Sequence, residues 1–361
     1  MTRKVWFQVG IAILLTILII KYALEIKFIF KPFVIIIKTI ILPVIFGGAL
    51  FYLVEPLQHK LEEKKVPRWG SILIIVVGVI GLLAAVILII APKVNEQVKN
   101  LIENSPMFAN KLNEWRLLIM DSIDHLPNEV IDTLENAIGS MESFAGTIGS
   151  GLITFLQSVS SAIISLVLVP FFFIFMLKDH EKFAPRIYGW FKGNFRDWLK
   201  QTLFDVDQVL RSYIQGQVII SILLAILLFI GYSAVGLEYA LLLSIFALFM
   251  NIIPFLGPWI AFLPAATIAL IQDPKMIIWV SIITLVAQQI DSHLITPNIM
   301  GKSLNIHPLT VITILLAAGS IAGFFGILLA IPTYAVIKAI IKNIYLSGDL
   351  IRETVTDDVD K

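Results

Sequence analysis

The chain contains no cysteine, which removes disulfides, thiolate metal sites and cysteine nucleophiles at once. Charge is scarce too: 15% of the 361 residues are Asp, Glu, Lys or Arg, against about 25% in soluble domains. The net charge of +1 gives no basic face for nucleic acid, so none is expected as a partner. His-Glu-x-x-His and a Walker loop are both missing, and the five histidines are scattered without metal-ligand spacing. No paired catalytic constellation is visible either. The expectation is therefore no enzyme, no cofactor and no metal.

What the chain has instead is apolar sequence, 58% of it. A soluble protein of this length would need a charged surface to cover its core, and here that surface is missing. Lipid takes its place. About 20 apolar residues cross a bilayer as a helix. Such runs lie at roughly 5–24, 33–54, 70–91, 152–177, 217–235, 239–271, 276–295 and 306–341. The run 239–271 is interrupted by Asn251-Ile-Ile-Pro-Phe-Leu-Gly-Pro258. The run 306–341 is too long for one span and carries Gly319, Gly323, Gly326 and Pro332. These glycines are read as sites of close helix packing. The runs are continuous rather than alternating, so the expected fold is all-α: a polytopic transmembrane helical bundle of about eight spans, one broken or re-entrant. Ten spans would satisfy the same parity.

Arg3 and Lys4 ahead of the first run, with no small-x-small cleavage site after it, indicate an uncleaved first helix. The distribution of Lys and Arg orients the chain. Segment 92–150 has four Lys/Arg against nine Asp/Glu, whereas 178–216 has seven Lys/Arg. Both termini are predicted to be cytoplasmic, with Lys21, Lys27 and Lys31 the one discordant group. The implied organisation is membrane helices over 1–91, an extracytoplasmic amphipathic subdomain over 92–150, and a fourth span over 151–177. Interfacial basic-aromatic helices follow over 178–210, then a membrane core over 211–343 and an acidic tail over 344–361. In the subdomain, Val94, Val98, Leu101 and Ile102 form an apolar stripe, and Pro106 and Pro127 are expected to break it.

Polar groups inside lipid are expensive, so those within spans are the candidate functional residues. The densest cluster is Gln288-Gln289-Ile-Asp291-Ser292-His293. Helical spacing puts Gln288 with Asp291 and Gln289 with His293 in adjacent polar stripes. A carboxylate that trades solvation for a cation suits proton or sodium coupling; a cap at the membrane edge is the plainer reading. Asn251, Pro254, Gly257 and Pro258 form a broken segment that could bare carbonyls to a substrate, because backbone broken within a membrane lines protein or water. A tight turn between two spans explains it equally well. Gln215 and Gln217, beside Arg211, open another span and serve either a pathway or packing at Gly216.

The run Pro297-Asn-Ile-Met300-Gly301-Lys302-Ser-Leu-Asn-Ile-His307-Pro308, with the glycine-rich stretch after it, closely resembles the autoinducer-2 exporter (AI-2E) family. Tyr213-Ile-Gln-Gly-Gln217 and Asn251–Pro258 resemble its motifs as well. Where that family generally has a glutamate after the glutamine pair, this chain has Asp291. The resemblance implies a multi-pass transporter of the bacterial cytoplasmic membrane, compatible with homo-oligomerisation. Some members are assigned to signal export and others resemble sodium(lithium)/proton antiporters. Three readings stay open: a permease exporting a small polar metabolite, an antiporter using Asp291, and a non-transporting scaffold or receptor acting through 93–150. Membrane lipid is the expected partner throughout, joined in the first two by a small-molecule or monovalent-cation substrate.

Overall fold

The computed structural model describes residues 27–122, 168–300 and 306–357, with positions 11, 14–16, 18, 21, 22, 151 and 154. Among the described residues the chain is helical, with no strand. Nine α-helices follow in order among these residues from 27 onward: α1 (Lys27–Glu63), α2 (Arg68–Ser122), α3 (Val169–Tyr188), α4 (Gly193–Ala234), α5 (Ala240–Met250), α6 (Leu256–Gln272), α7 (Met276–Ile290), α8 (Thr296–Met300) and α9 (Pro308–Asp357). A π-helical turn, Asp291–Ile295, joins α7 to α8. Most of the predicted spans 5–24 and 152–167 lies outside the described residues, as do 123–150.

Among the described residues five stretches are long and apolar enough to cross a membrane: Thr39–Glu63, Arg68–Asn104, Gly193–Ala234, Met276–Met300 and Phe325–Tyr345. Ala240–Met250, Leu256–Gln272 and Leu309–Gly323 are shorter apolar helices. The bundle is that of a membrane protein. Its apolar exterior makes the same point: Leu73, Ile74, Val77, Ile80, Leu83 and Ile87 all stand exposed along α2. Exposed Phe183, Trp190, Phe195 and Phe204 gather around the α3–α4 connection, where amphipathic rings suit a headgroup layer.

The central element is α4, which packs against α1, α3, α5, α7, α8 and α9. Its Leu224, Leu228 and Tyr232 join α5, α6 and α7 in one core. On its other side, Tyr213 and Ile220 meet Met300, Val311, Leu315 and Ile331. A separate cluster of Phe51, Ile72, Ile75, Phe173 and Leu177 holds α1, α2 and α3 together.

Several boundaries differ from the sequence reading. The basic-aromatic segment 178–210 does not form helices of its own; it is the end of α3 and the first half of α4, joined by a turn over 189–192. The apolar period continues across 177 and 210, so charge changes there while the helix does not. Likewise α2 runs unbroken through residue 91 and through Pro106. A proline deletes one hydrogen bond and adds a kink, and a long packed helix tolerates both. At 55 residues, α2 is about 80 Å long, well over twice the hydrocarbon core. Its amphipathic part packs Val94, Val98 and Leu101 on the α5–α6 core, while Ile102 stays exposed. There the Gln97 side chain accepts the Leu242 backbone N–H at 2.9 Å, and Asn104 donates to the Tyr239 hydroxyl at 3.0 Å.

The two irregular apolar runs resolve into helix pairs. Within α9 the backbone leaves helical geometry at Ala322 and at Gly323, whose φ of +59° favours glycine. Gly326 then lies so close to Ala318 O that no larger residue fits. The run 239–271 becomes α5 and α6, separated by a tight turn.

Candidate functional site

α5 is 11 residues long, about 16 Å, half the hydrocarbon thickness. It is nonetheless among the most buried helices, with Leu242 and Leu243 at 0% and 1% exposure. At its end the chain makes a tight turn over 251–255. Phe255 has φ 66° and ψ −45°, and Leu256 N–H donates to Pro254 O at 2.8 Å. That is a three-residue γ-turn, rare and strained for a residue with a side chain. Gly257 then approaches so closely that any Cβ would collide with Met250 O. Pro254 and Pro258 lack backbone donors, so neither competes for a helical hydrogen bond here.

The turn is held from α4. Gln217 Nε2 donates to Asn251 O at 2.6 Å, and Asn251 Nδ2 reaches Ser221 Oγ at 3.4 Å. All three residues are buried. Gln217 thereby satisfies a carbonyl that the broken helix would otherwise leave unpaired.

Opposite the turn stands α7 with its π-helical extension. Thr296 N–H bonds to Asp291 O, five residues back, and Pro297 offers no N–H to continue the ordinary ladder. The wider turn fits that missing donor, and single π-turns of this kind concentrate at functional sites. The polar stripe Ser281, Thr284, Gln288, Asp291 and Ser292 is carried onto one side, followed by Thr296. Thr296 Oγ1 donates to Asp291 Oδ1 at 2.8 Å, and Thr284 bonds to the Tyr232 hydroxyl at 2.8 Å.

Between turn and stripe lies a cavity of about 850 Å³. Its walls come from α4 (Tyr213, Gln217, Ile220), the broken segment (Asn251, Pro254, Phe255, Pro258), α6 (Trp259, Phe262), the α7 stripe, Met300, Ile306 and α9 (Val311, Ile331). Asp291 is the one charged residue among the described lining residues. Two lining groups have buried polar atoms without a hydrogen-bond partner: the Tyr213 hydroxyl and Gln288 Nε2.

Most of the residues singled out in the sequence therefore converge here: Gln217, Asn251, Pro254, Pro258, Gln288, Gln289 and Asp291, with Met300 from the long motif. Gly257 does not line the cavity but permits the turn that does. The others are placed elsewhere. His293 is exposed, its Nδ1 within reach of Gln289 O and Ser292 Oγ. Gln215 donates to Tyr52 O on α1. His307 and Pro308 start α9, the His307 carbonyl accepting from Thr310 and Val311 and Pro308 taking the first helical position. Pro297 follows the π-turn in α8; Gly301 and Lys302 lie outside the described residues. Tyr213, Trp259, Phe262 and Ser281 had not been singled out as pathway residues. Of these, Ser281 alone carried a signal, in its i, i+3/i+4 spacing with Thr284 and Gln288. Among the described residues, no group of three His, Asp or Glu is placed to hold a metal ion.

Outside the cavity a second polar group ties α1 to α4. Arg211 Nη1 donates to both oxygens of Glu55 at 2.7 Å, and Nη2 reaches Asp207 Oδ2 at 3.2 Å. The Tyr52 hydroxyl donates to Asp207 Oδ1 at 2.8 Å.

Residues 7–346 match the family described as AI-2E family transporter. YueF of Bacillus subtilis (strain 168) is 33% identical over 92% of this chain and 91% of its own length. YrrI of the same organism is 31% identical over 92% of this chain and 94% of its own. Both are named as transport proteins. PerM of Escherichia coli (strain K12), named as a permease, is 26% identical over 83% of this chain and 86% of its own.

Proposed function

The chain belongs to the AI-2E transporter family, and from that premise we propose that the 850 Å³ cavity is its central substrate site. The protein is then a permease of the bacterial cytoplasmic membrane that exports a small polar metabolite or signal molecule. The observation that carries this reading is the convergence of a broken helix and an intramembrane carboxylate on one space. A volume of this size suits a small organic molecule, with mostly apolar walls and a few placed polar groups. A half-length helix ending at that space is the geometry by which transporters place irregular backbone at mid-membrane. Transport, not catalysis, is the activity assigned. Membrane lipid surrounds the bundle, both termini are cytoplasmic, and homo-oligomers are compatible with its apolar exterior.

The test is untargeted mass spectrometry of the medium around bacteria producing the chain, beside cells producing Ser281→Trp, which obstructs the cavity. The wild type is expected to enrich one or a few small polar compounds in the medium, and the variant none. Identical media from wild-type, variant and empty cells would contradict the permease reading.

Asp291 supports a second reading, a sodium(lithium)/proton antiporter. Its carboxylate has one hydrogen-bond partner, Thr296, and no ion pair among the described residues. Liposomes with a trapped pH dye separate the two. Proton movement evoked by sodium or lithium in the wild type and lost in Asp291→Asn would establish antiport. Silence in both, with folded protein present, would exclude it.

A further inference from the structure

The permease reading leaves the cargo's chemistry open, and the cavity wall narrows it. Its single charge among the described lining residues is negative, at Asp291. No lysine or arginine stands among those residues, so along the described wall an anion would meet the Asp291 carboxylate unneutralised. Phe255, Trp259 and Phe262 supply three aromatic rings to the same space. Rings beside a carboxylate are the chemistry that attracts organic cations, through the ring quadrupole and the opposite charge together. A bare alkali cation gains little from such walls, since it must surrender water to apolar carbon. Independently, the Tyr213 hydroxyl is buried without a partner, as is Gln288 Nε2. Tyr213 as a whole is only 5% exposed. Buried donors left unpaired are costly, and here both belong to residues lining a space large enough to hold their partner.

We propose that the cavity takes an amphiphilic organic cation, with an apolar body against the Phe255, Trp259 and Phe262 rings and a positive centre at Asp291. An oxygen acceptor on the cargo satisfies Tyr213 and Gln288. This rests on the permease reading and goes beyond it, replacing the small polar cargo named there with one that has an apolar body and a positive centre.

Size-matched probes of opposite charge test it. Full-length protein in lipid nanodiscs is titrated separately with tetraphenylphosphonium and with tetraphenylborate, and binding to empty nanodiscs is subtracted. The expected result is saturable binding of the phosphonium, at least tenfold weaker in Asp291→Asn and retained in Asp291→Glu, with no saturable binding of the borate. The Asp291→Glu arm keeps the test informative if the asparagine variant folds poorly. Equal binding of the two ions, or phosphonium affinity unchanged in Asp291→Asn, would overturn the proposal. A third probe, neutral triphenylphosphine oxide, carries an acceptor on a similar body. It should bind more weakly to Tyr213→Phe, and unchanged affinity would overturn the acceptor assignment. Failure of all three probes while the cavity still exports a metabolite in the medium assay would remove the cation inference alone. Failure of that assay as well would remove the permease reading beneath it.

Discussion

Two of the polar groups in this apolar bundle are built in opposite ways. On α1 and α4, Glu55, Arg211, Asp207 and Tyr52 are joined to one another by short hydrogen bonds, each group finding its partner within the protein. Around the cavity, Asp291 has one hydroxyl partner, while the Tyr213 hydroxyl and Gln288 Nε2 have none. Polar groups in a low-dielectric interior are costly unless paired. The paired set explains itself: it fastens the α1–α3 cluster to the central helix. The unpaired set has no such structural account. Unpaired buried atoms also occur away from the cavity, at Gln58 and Thr202 among others, so it is their place in residues of its wall that points to a ligand.

The contrast can be broken from either side. The largest effect is expected at the turn that shapes the cavity. Gly257→Ala would drive a Cβ into Met250 O, costing more than about 3 kcal/mol, read as lost folded yield in detergent. Next comes the paired network. Arg211→Met strands Glu55, whose side chain is 11% exposed. It should lower stability by about 2–3 kcal/mol, the usual penalty for a broken buried pair reduced for the partial exposure of Arg211. Thermal unfolding of purified protein measures it. Gln217→Ala unpairs the Asn251 carbonyl and should cost about 1–3 kcal/mol by the same measurement.

The cavity variants should behave differently. Asp291→Asn keeps the volume and the Thr296 contact, so stability should shift by less than about 1 kcal/mol while binding or transport is lost. Tyr213→Phe removes a hydroxyl that has no partner. Its effect on stability should be the smallest, within about 0.5 kcal/mol of zero or slightly stabilising. If Tyr213→Phe destabilised the fold as much as Arg211→Met, the division between structural and ligand-facing polar groups would fail.

Much of this was legible in the residues because the membrane imposes a simple rule. Polar or proline-bearing interruptions in apolar runs must have a reason, and Asn251, Pro254, Asp291 and Gln288 were visible on that ground alone. The helix split at Gly323 was legible for a related reason, since 306–341 exceeds one span. What periodicity could not give was register between helices. His293 lies on the polar side of an ideal α-helix, but the π-turn at Asp291–Ile295 changes the winding and leaves it exposed. Gln215 and Gln217 are two residues apart on α4, so they point to different neighbours, one to Tyr52 and the other to Asn251. Helix ends were misplaced where charge changed without any loss of helical period, at 178 and 210. Tyr213 was legible only as part of a motif and Trp259 not at all; the assembled cavity shows what they line.

A permease's central cavity must open to water on both sides of the membrane in turn, and the absence of cysteine makes that directly testable here. Ser281→Cys would place the chain's single thiol on the cavity wall, and Ala265→Cys would place one at 0% exposure outside it. A membrane-impermeant thiol reagent is applied to intact cells and, separately, to inside-out vesicles. The expected result is that the Ser281→Cys protein is labelled from both faces and the Ala265→Cys protein from neither. A folded Ser281→Cys protein labelled from one face only, or from neither, would contradict alternating access through this cavity.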